Sequence, residues 1–183
     1  MTSVLVKGGI IVTMDPHRRI LSDHSIFIED GKFRAIGKTS DIMRDWKAEE
    51  VIDASGGIVM PGLICSHTHL YGMLLRGATL DIAPPSDFTQ ILQRIWWPVD
   101  ESLTLDDAYA SALVGCLEFL KTGTTTFADT YSGPNSIDGV LDRIAKAVDE
   151  VGIRGLIAFE ATERHSRQEG ERGVQENVRF ARR

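Results

Sequence analysis

Cysteine is nearly absent: Cys65 and Cys116 are the only two in 183 residues. Two thiols in a chain of this length do not make a disulfide framework, so a hydrophobic core has to hold the fold. Cys65 falls in an apolar strand segment and Cys116 on the apolar face of a helical segment. Both read as buried free thiols, and a reducing, cytoplasmic setting is the expectation. No apolar run approaches the ~18 residues of a membrane span. The opening stretch Met1 to Gly9 has no basic region ahead of a long apolar core and does not read as a secretory signal. Positive charge is in deficit, with 20 Lys and Arg against 26 Asp and Glu and a formal net charge of −6. With no basic tract either, binding to nucleic acid or to an anionic membrane is disfavoured. What is present is 43% hydrophobic and 25% charged, which excludes a disordered chain. The length suits one ordinary domain or two small ones.

Residues 3–60 read as β-rich. Val4–Val6, Ile10–Val12, Val51–Asp53 and Ile58–Met60 are short apolar runs separated by glycines and polar loops. The clearest hairpin is Ser25–Gly37, because Asp30-Gly31 between two apolar runs is the strongest short-range sign of a tight primed turn. Residues 39–50 are polar and predict one helical turn with a loop. Several short strands with Gly turns suggest a small β-sandwich.

From Pro61 the pattern alternates strand and helix. Leu63–His67, Thr124–Asp129 and Ile153–Phe159 predict strands. Thr104 with Asp107 forms a capping-box variant opening a helix whose apolar face is Tyr109, Leu113, Cys116, Leu117 and Leu120, with Gly123 as its stop. Ile137 to Val151 predicts a second helix ending at Gly152, and a third begins near Glu171 and runs to the last residue. Residues 70–100 read as a long irregular connection around Pro84-Pro85, with a short helix over 86–97; such connections are often functional. Alternation of this kind implies right-handed crossovers and a parallel sheet. A closed eight-stranded barrel needs ~250 residues, and only about 120 follow Met60. The expectation is an α/β chain holding about three β/α units of a TIM-type (β/α)8 barrel over residues 59–183, preceded over 1–58 by part of a small β-sandwich.

The segment Pro61-Gly62-Leu63-Ile64-Cys65-Ser66-His67-Thr68-His69 carries the chemistry. Side chains alternate along a strand, so His67 and His69 project from one face while Thr68 points away. Two imidazoles converging on one point can share a metal ion. By itself His-x-His is a weak motif, and two histidines on an exposed strand end would look the same.

The order of motifs is similar to the start of the amidohydrolase superfamily, in its cytosine deaminase, adenosine-like deaminase and chlorohydrolase branch. A β-rich segment is followed by Gly56-Gly57-Ile58-Val59-Met60-Pro61-Gly62-Leu63-Ile64 and Ser66-His67-Thr68-His69. Leu74-Leu75-Arg76-Gly77, Leu120 to Asp129 and Val151 to Arg154 come next. Asp81 to Pro84, Asp87-Phe88, Trp96-Trp97, Phe159 to Thr162 and Gly173 to Phe180 point, within that branch, to an aminohydrolase.

The resemblance implies that His67 and His69 are first-strand ligands of a divalent ion, zinc or iron, which lowers the pKa of water. It also implies further ligands on later strands that this sequence does not contain, a sandwich completed by C-terminal strands, a small-molecule substrate and a homodimer of the full-length protein. His17 and His24 read as surface residues, and His165 matches no ligand motif. Asp100 stands where nucleoside-acting members carry a glutamate that binds ribose hydroxyls; it reads equally as an acidic approach to the next helix. Trp97, with Trp96, is a candidate pocket wall, although either could serve the core. Glu160, at the end of the third strand, stands near where nucleoside deaminases place an arginine. That departure argues against an adenosine-type substrate and for a basic or amino-bearing ligand. Asp129 reads as a support for the site or a helix cap, and Tyr71 and Arg76 are weaker pocket candidates.

The function these features imply is hydrolysis of a non-peptide carbon–nitrogen bond, with deamination of a heterocyclic amidine preferred. Hydrolysis of a cyclic amide or urea, or of a chloro-triazine, is the enzymatic alternative; a non-catalytic fragment or binding module is the other. Two histidines leave a metal site unfinished, so the 183-residue chain alone is expected to show little or no catalysis.

Overall fold

The computed structural model describes residues 2–183. The chain divides into two compact units, one ending at Pro61 and the other spanning Gly62–Arg183.

The first unit holds seven strands, β1 (Ser3–Lys7), β2 (Ile10–Val12), β3 (Ile20–Leu21), β4 (His24–Glu29), β5 (Lys32–Lys38), β6 (Glu50–Asp53) and β7 (Ile58–Val59), with one helix, α1 (Thr39–Asp45). They form a four-stranded sheet in the order β5-β4-β1-β6 and a three-stranded sheet in the order β3-β2-β7. The β4–β5 hairpin turns at Asp30 and Gly31, both with positive φ (50° and 70°), as a primed turn requires. Leu5, Phe27 and Ile42 make a small core, and the Trp46 ring lies 4.6 Å from Phe27.

The second unit is built on a parallel sheet in the order β10-β9-β8, from β8 (Leu63–Thr68), β9 (Thr124–Tyr131) and β10 (Arg154–Phe159). After β8 comes a 3-10 turn, Leu70–Leu75. A nearly continuous helical stretch follows: α2 (Phe88–Ile91), a π-type turn Leu92–Trp96, and α3 (Trp97–Ser102). The irregular connection expected over 70–100 is therefore confined to residues 76–87. The helix also runs on past Pro98, which follows the π-type turn at the second position of α3.

Helix α4 (Leu105–Lys121) starts at the expected capping box. Thr104 Oγ1 accepts from the Asp107 N–H at 3.2 Å, and the Asp107 carboxylate accepts from the Thr104 N–H at 2.9 Å. Its buried face is Ala108, Ser111, Ala112, Gly115 and Cys116, whereas Leu117 and Leu120 are exposed. The helical period was legible, but small residues take the inner face because α4 packs closely. A Cβ on Gly115 would lie 2.6 Å from the Leu70 side chain. Against α4 packs α5 (Val140–Val151), which contributes Val140, Leu141, Ile144, Ala147 and Val148 to the core and ends at Gly152 with φ 76°. Helix α6 (Arg167–Ala181) starts earlier than periodicity suggested, because Ser166 caps it by accepting from the Glu169 N–H, and it ends at Ala181. Its Asn177 bonds both the N–H and the C=O of Phe159, at 2.9 and 2.8 Å, so it closes off the outer edge of β10. Among the described residues no helix is long and apolar enough to cross a membrane.

Thr104→Ala removes the cap of α4 and is expected to lower stability by about 1 kcal/mol at neutral pH. The Thr104 hydrogen bonds hold the Asp107 carboxyl below its ordinary range. Their contribution is therefore present above the unfolded value near ~4 and fades as pH falls through the lower folded value. Urea unfolding at pH 7 and pH 3 should show the gap between variant and parent narrow in acid.

Candidate functional site

A cavity of about 710 Å³ opens at the C-terminal ends of the three parallel strands, where open α/β sheets place their ligands. His67 lines it from β8 and His69 from the residue just after that strand, Glu160, Thr162 and Arg164 from beyond β10, and Tyr71, Phe88, Leu92, Trp96, Trp97 and Asp100 from the connection between β8 and β9. The five residues singled out from sequence, His67, His69, Trp97, Asp100 and Glu160, thus share one cavity.

The two imidazoles meet edge to face with ring centroids 4.9 Å apart. Cys65 faces Phe127 and Thr68 faces Asp129, so β8 carries one extra residue, and the strand ends at Thr68. His69 is the first residue of the following turn. Its Nδ1 lies 2.8 Å from the carbonyl of Thr130. A carbonyl can only accept, so Nδ1 carries the proton and Nε2 keeps its lone pair, the state a metal ligand needs. The next residue is tied down as well, because the Leu70 N–H donates to Asp129 Oδ1 at 2.7 Å. Burial pushes the Asp129 carboxyl up to about 6, against the lowering effect of that N–H and of His69.

Asp100 lies in the first turn of α3 and is only 2% exposed. Its Oδ2 accepts from Arg164 Nη2 at 2.8 Å and from the Ser132 hydroxyl at 3.0 Å. The Arg164 guanidinium also lies 5.2 Å from the Trp97 ring, which fixes it against a flat face. Burial raises the Asp100 carboxyl above its ordinary range, while Arg164, Ser132 and Tyr71 pull it down. Asp100 Oδ1 and Arg164 Nη1 are buried with no partner among the described residues. Tyr71 stands between His69, Trp96 and Tyr131, with ring centroids 5.8, 5.7 and 5.6 Å away. Burial and the charges of Asp100, Glu160 and Asp129 push its hydroxyl far up, so it is a neutral donor. Trp96 lines the cavity and also packs on the core.

Other sequence candidates lie elsewhere. His17 and His24 belong to the first unit. His165 is exposed and pairs with Glu101 at 3.0 Å, and Arg76 faces Glu118 at 3.8 Å. Cys65 is only partly buried, whereas Cys116 is fully buried and its thiol is pushed up to about 11. Sequence reading missed Arg164 and Ser132; their only signal was a position just past the ends of parallel strands. For a metal, the donors present fit in part: His67 and His69 suit two coordination positions. No group of three His, Cys, Asp or Glu side chains converges among the described residues.

The model of the amidohydrolase family matches residues 58–183. The 5'-deoxyadenosine deaminase of Methanosarcina mazei is 36% identical over 183 residues, 100% of this chain and 39% of that protein. The 5-methylthioadenosine/S-adenosylhomocysteine deaminase of Thermococcus sibiricus is 39% identical over 157 residues, 86% of this chain and 33% of that protein. The chain therefore spans well under half the length of these relatives. Among solved structures, the atrazine chlorohydrolase TrzN from Arthrobacter aurescens, complexed with zinc, superposes with a TM-score of 0.76 at 25% identity, covering 98% of this chain and 43% of that one. A zinc-bound adenosine deaminase from Xanthomonas campestris gives 0.77 at 24% identity, covering 98% and 40%, a likeness of fold.

Arg164→Met leaves the Asp100 carboxylate buried and unpaired. The expected loss is about 3–5 kcal/mol at pH 7. The orphaned carboxyl titrates higher still and protonates as pH falls, so the loss should shrink between pH 7 and pH 4.5. Thermal unfolding of parent and variant at both values measures it.

Proposed function

The chain belongs to the amidohydrolase family, and on that premise we propose that it is part of a metal-dependent hydrolase that deaminates a heterocyclic amidine, with 5'-substituted adenosines as the substrate class. The observation that carries this is the His67–His69 pair at the mouth of the parallel sheet, with the His69 tautomer set by Thr130. The zinc reported in the TrzN and Xanthomonas structures supports a divalent ion, zinc or iron. The names of the two deaminase relatives support the substrate class. The sequence argument against an adenosine-type ligand loses force, because an arginine does face the cavity, at Arg164 rather than at position 160. The same proposal includes the finer fold, three β/α units of a TIM-type barrel over 59–183 with part of a β-sandwich over 1–58. The parallel order β10-β9-β8 and the unit boundary at Pro61 support it.

His67 and His69 would hold the ion, whose chemistry when bound is Lewis acidity that makes water nucleophilic near neutral pH. The chain's own residues do the rest. The Thr130 carbonyl and the Asp129–Leu70 bond keep the two imidazoles in register. Trp96, Trp97 and Phe88 give flat apolar surfaces against which a purine can lie and from which water is excluded. The neutral Tyr71 hydroxyl and the buried Asp100 carboxylate, which act on each other, stand together on the cavity wall where the ligand's polar edge would meet them. The likeness to TrzN favours a second reading, hydrolytic dehalogenation of a triazine.

In the protein made from the complete reading frame, the double variant His67→Ala/His69→Ala should lose its metal, and ammonia release from 5'-deoxyadenosine should fall more than about a hundredfold. Metal content by mass spectrometry and an ammonia assay decide. Unchanged metal and turnover would sink the proposal, and chloride release from atrazine without ammonia from the nucleoside would select the second reading.

A further inference from the structure

Among the described residues the charges that line the cavity do not cancel evenly. Its lining contains one cation, Arg164, and two carboxylates, Asp100 and Glu160. Arg164 is committed. Its Nη2 bonds Asp100 and Ser132, its plane lies against Trp97, and its side chain is only 9% exposed. The buried pair is therefore internally neutral. Glu160 is not offset in this way: among the described residues its side chain has neither an ion pair nor a hydrogen bond, and its carboxylate bears on the Tyr71 hydroxyl.

Glu160 is also held in place. Its backbone N–H donates to the Tyr131 carbonyl at 2.8 Å, and the preceding Phe159 is bonded on both backbone groups by Asn177. Around it the cavity is aromatic, with Tyr71, Phe88, Trp96 and Trp97. A carboxylate on an anchored backbone position beside aromatic faces is the combination that attracts an organic cation, since ring faces carry negative quadrupole potential. The histidines lie at the end of β8 and just past it, and Glu160 just past β10, with β9 between them. Two strand spacings put roughly 10 Å between them. Any ion held by His67 and His69 adds positive charge at the β8 end, so the cavity is polarised along its length.

We propose that Glu160 selects the ligand by charge, and that the ligand presents an ammonium or other cationic nitrogen group at the β10 end of the cavity, away from the histidines. This rests on the reading of the cavity as a ligand site and adds to it the residue that meets such a group. Glu160 touches the substituent and not the reacting atoms, so it sets specificity. A ligand whose only charge at that end is a carboxylate is rejected by the same charge.

The test is calorimetric binding to the protein and its Glu160→Gln variant with two matched pairs of probes, 5'-amino-5'-deoxyadenosine against 5'-deoxyadenosine and benzylamine against benzyl alcohol. Gln keeps the size, and the unpartnered exposed side chain makes a folding defect unexpected; thermal unfolding checks this. The expected result is about tenfold tighter binding of the amine within a pair, shrinking with added salt and lost in Glu160→Gln. If neither nucleoside binds but benzylamine keeps its Glu160-dependent advantage, the nucleoside reading fails and the charge selection stands. Equal affinity within both pairs, a preference that survives Glu160→Gln, or no binding of either amine overturns the inference.

Discussion

In a parallel sheet of three strands only the central one can hydrogen-bond on both sides, and here that strand is β9. Its last residues and the one beyond them reach, in turn, the polar groups of the cavity on three separate segments. Asp129 takes the Leu70 N–H, Thr130 fixes the His69 ring, the Tyr131 carbonyl receives the Glu160 N–H, and Ser132 joins Asp100 and Arg164. Four consecutive residues on one rigid strand thereby set the spacing between segments that are far apart in sequence. The core beneath supports this: Phe127 and Tyr131 are 1% exposed, and α4 and α5 pack under the strand with fully buried Ala108, Ala112, Cys116, Val140 and Leu141.

That arrangement has an electrostatic consequence. Asp100, Asp129 and Arg164 are withdrawn from water near one another, and each retains a buried polar atom without a partner. Unsatisfied buried groups are costly, so a fold retains them where a ligand or ordered water completes the set. Two of the three belong to the Asp100–Arg164 pair on the cavity wall. The third, Asp129 Oδ2, lies behind His69. The polar atoms left open are therefore gathered where the histidines and the aromatic side chains already define a site, which ties the local charge arrangement to the function proposed.

Legibility from sequence followed the range of the interactions. The capping box at Thr104, the primed turn at Asp30-Gly31 and the stops at Gly123 and Gly152 were readable because their partners lie within a few residues. Periodicity located α4 but not its buried face. Small residues form that face because a neighbouring turn comes close, and no single-helix pattern contains that information. The start of α6 was missed, although Ser166 followed three residues later by Glu169 is itself a local cap signature.

By itself the sequence determined the alternating strands and helices, the pairing of His67 with His69, and the placement of Glu160 at a strand end, since each follows from neighbours along the chain. Only the tertiary structure decided which side chains complete the cavity. Arg164 meets Asp100 across 64 positions, His69 meets Thr130 across 61, and Leu70 meets Asp129 across 59. The physical reason is that strand order and the bulge in β8 set these meetings, and both depend on pairing between distant segments.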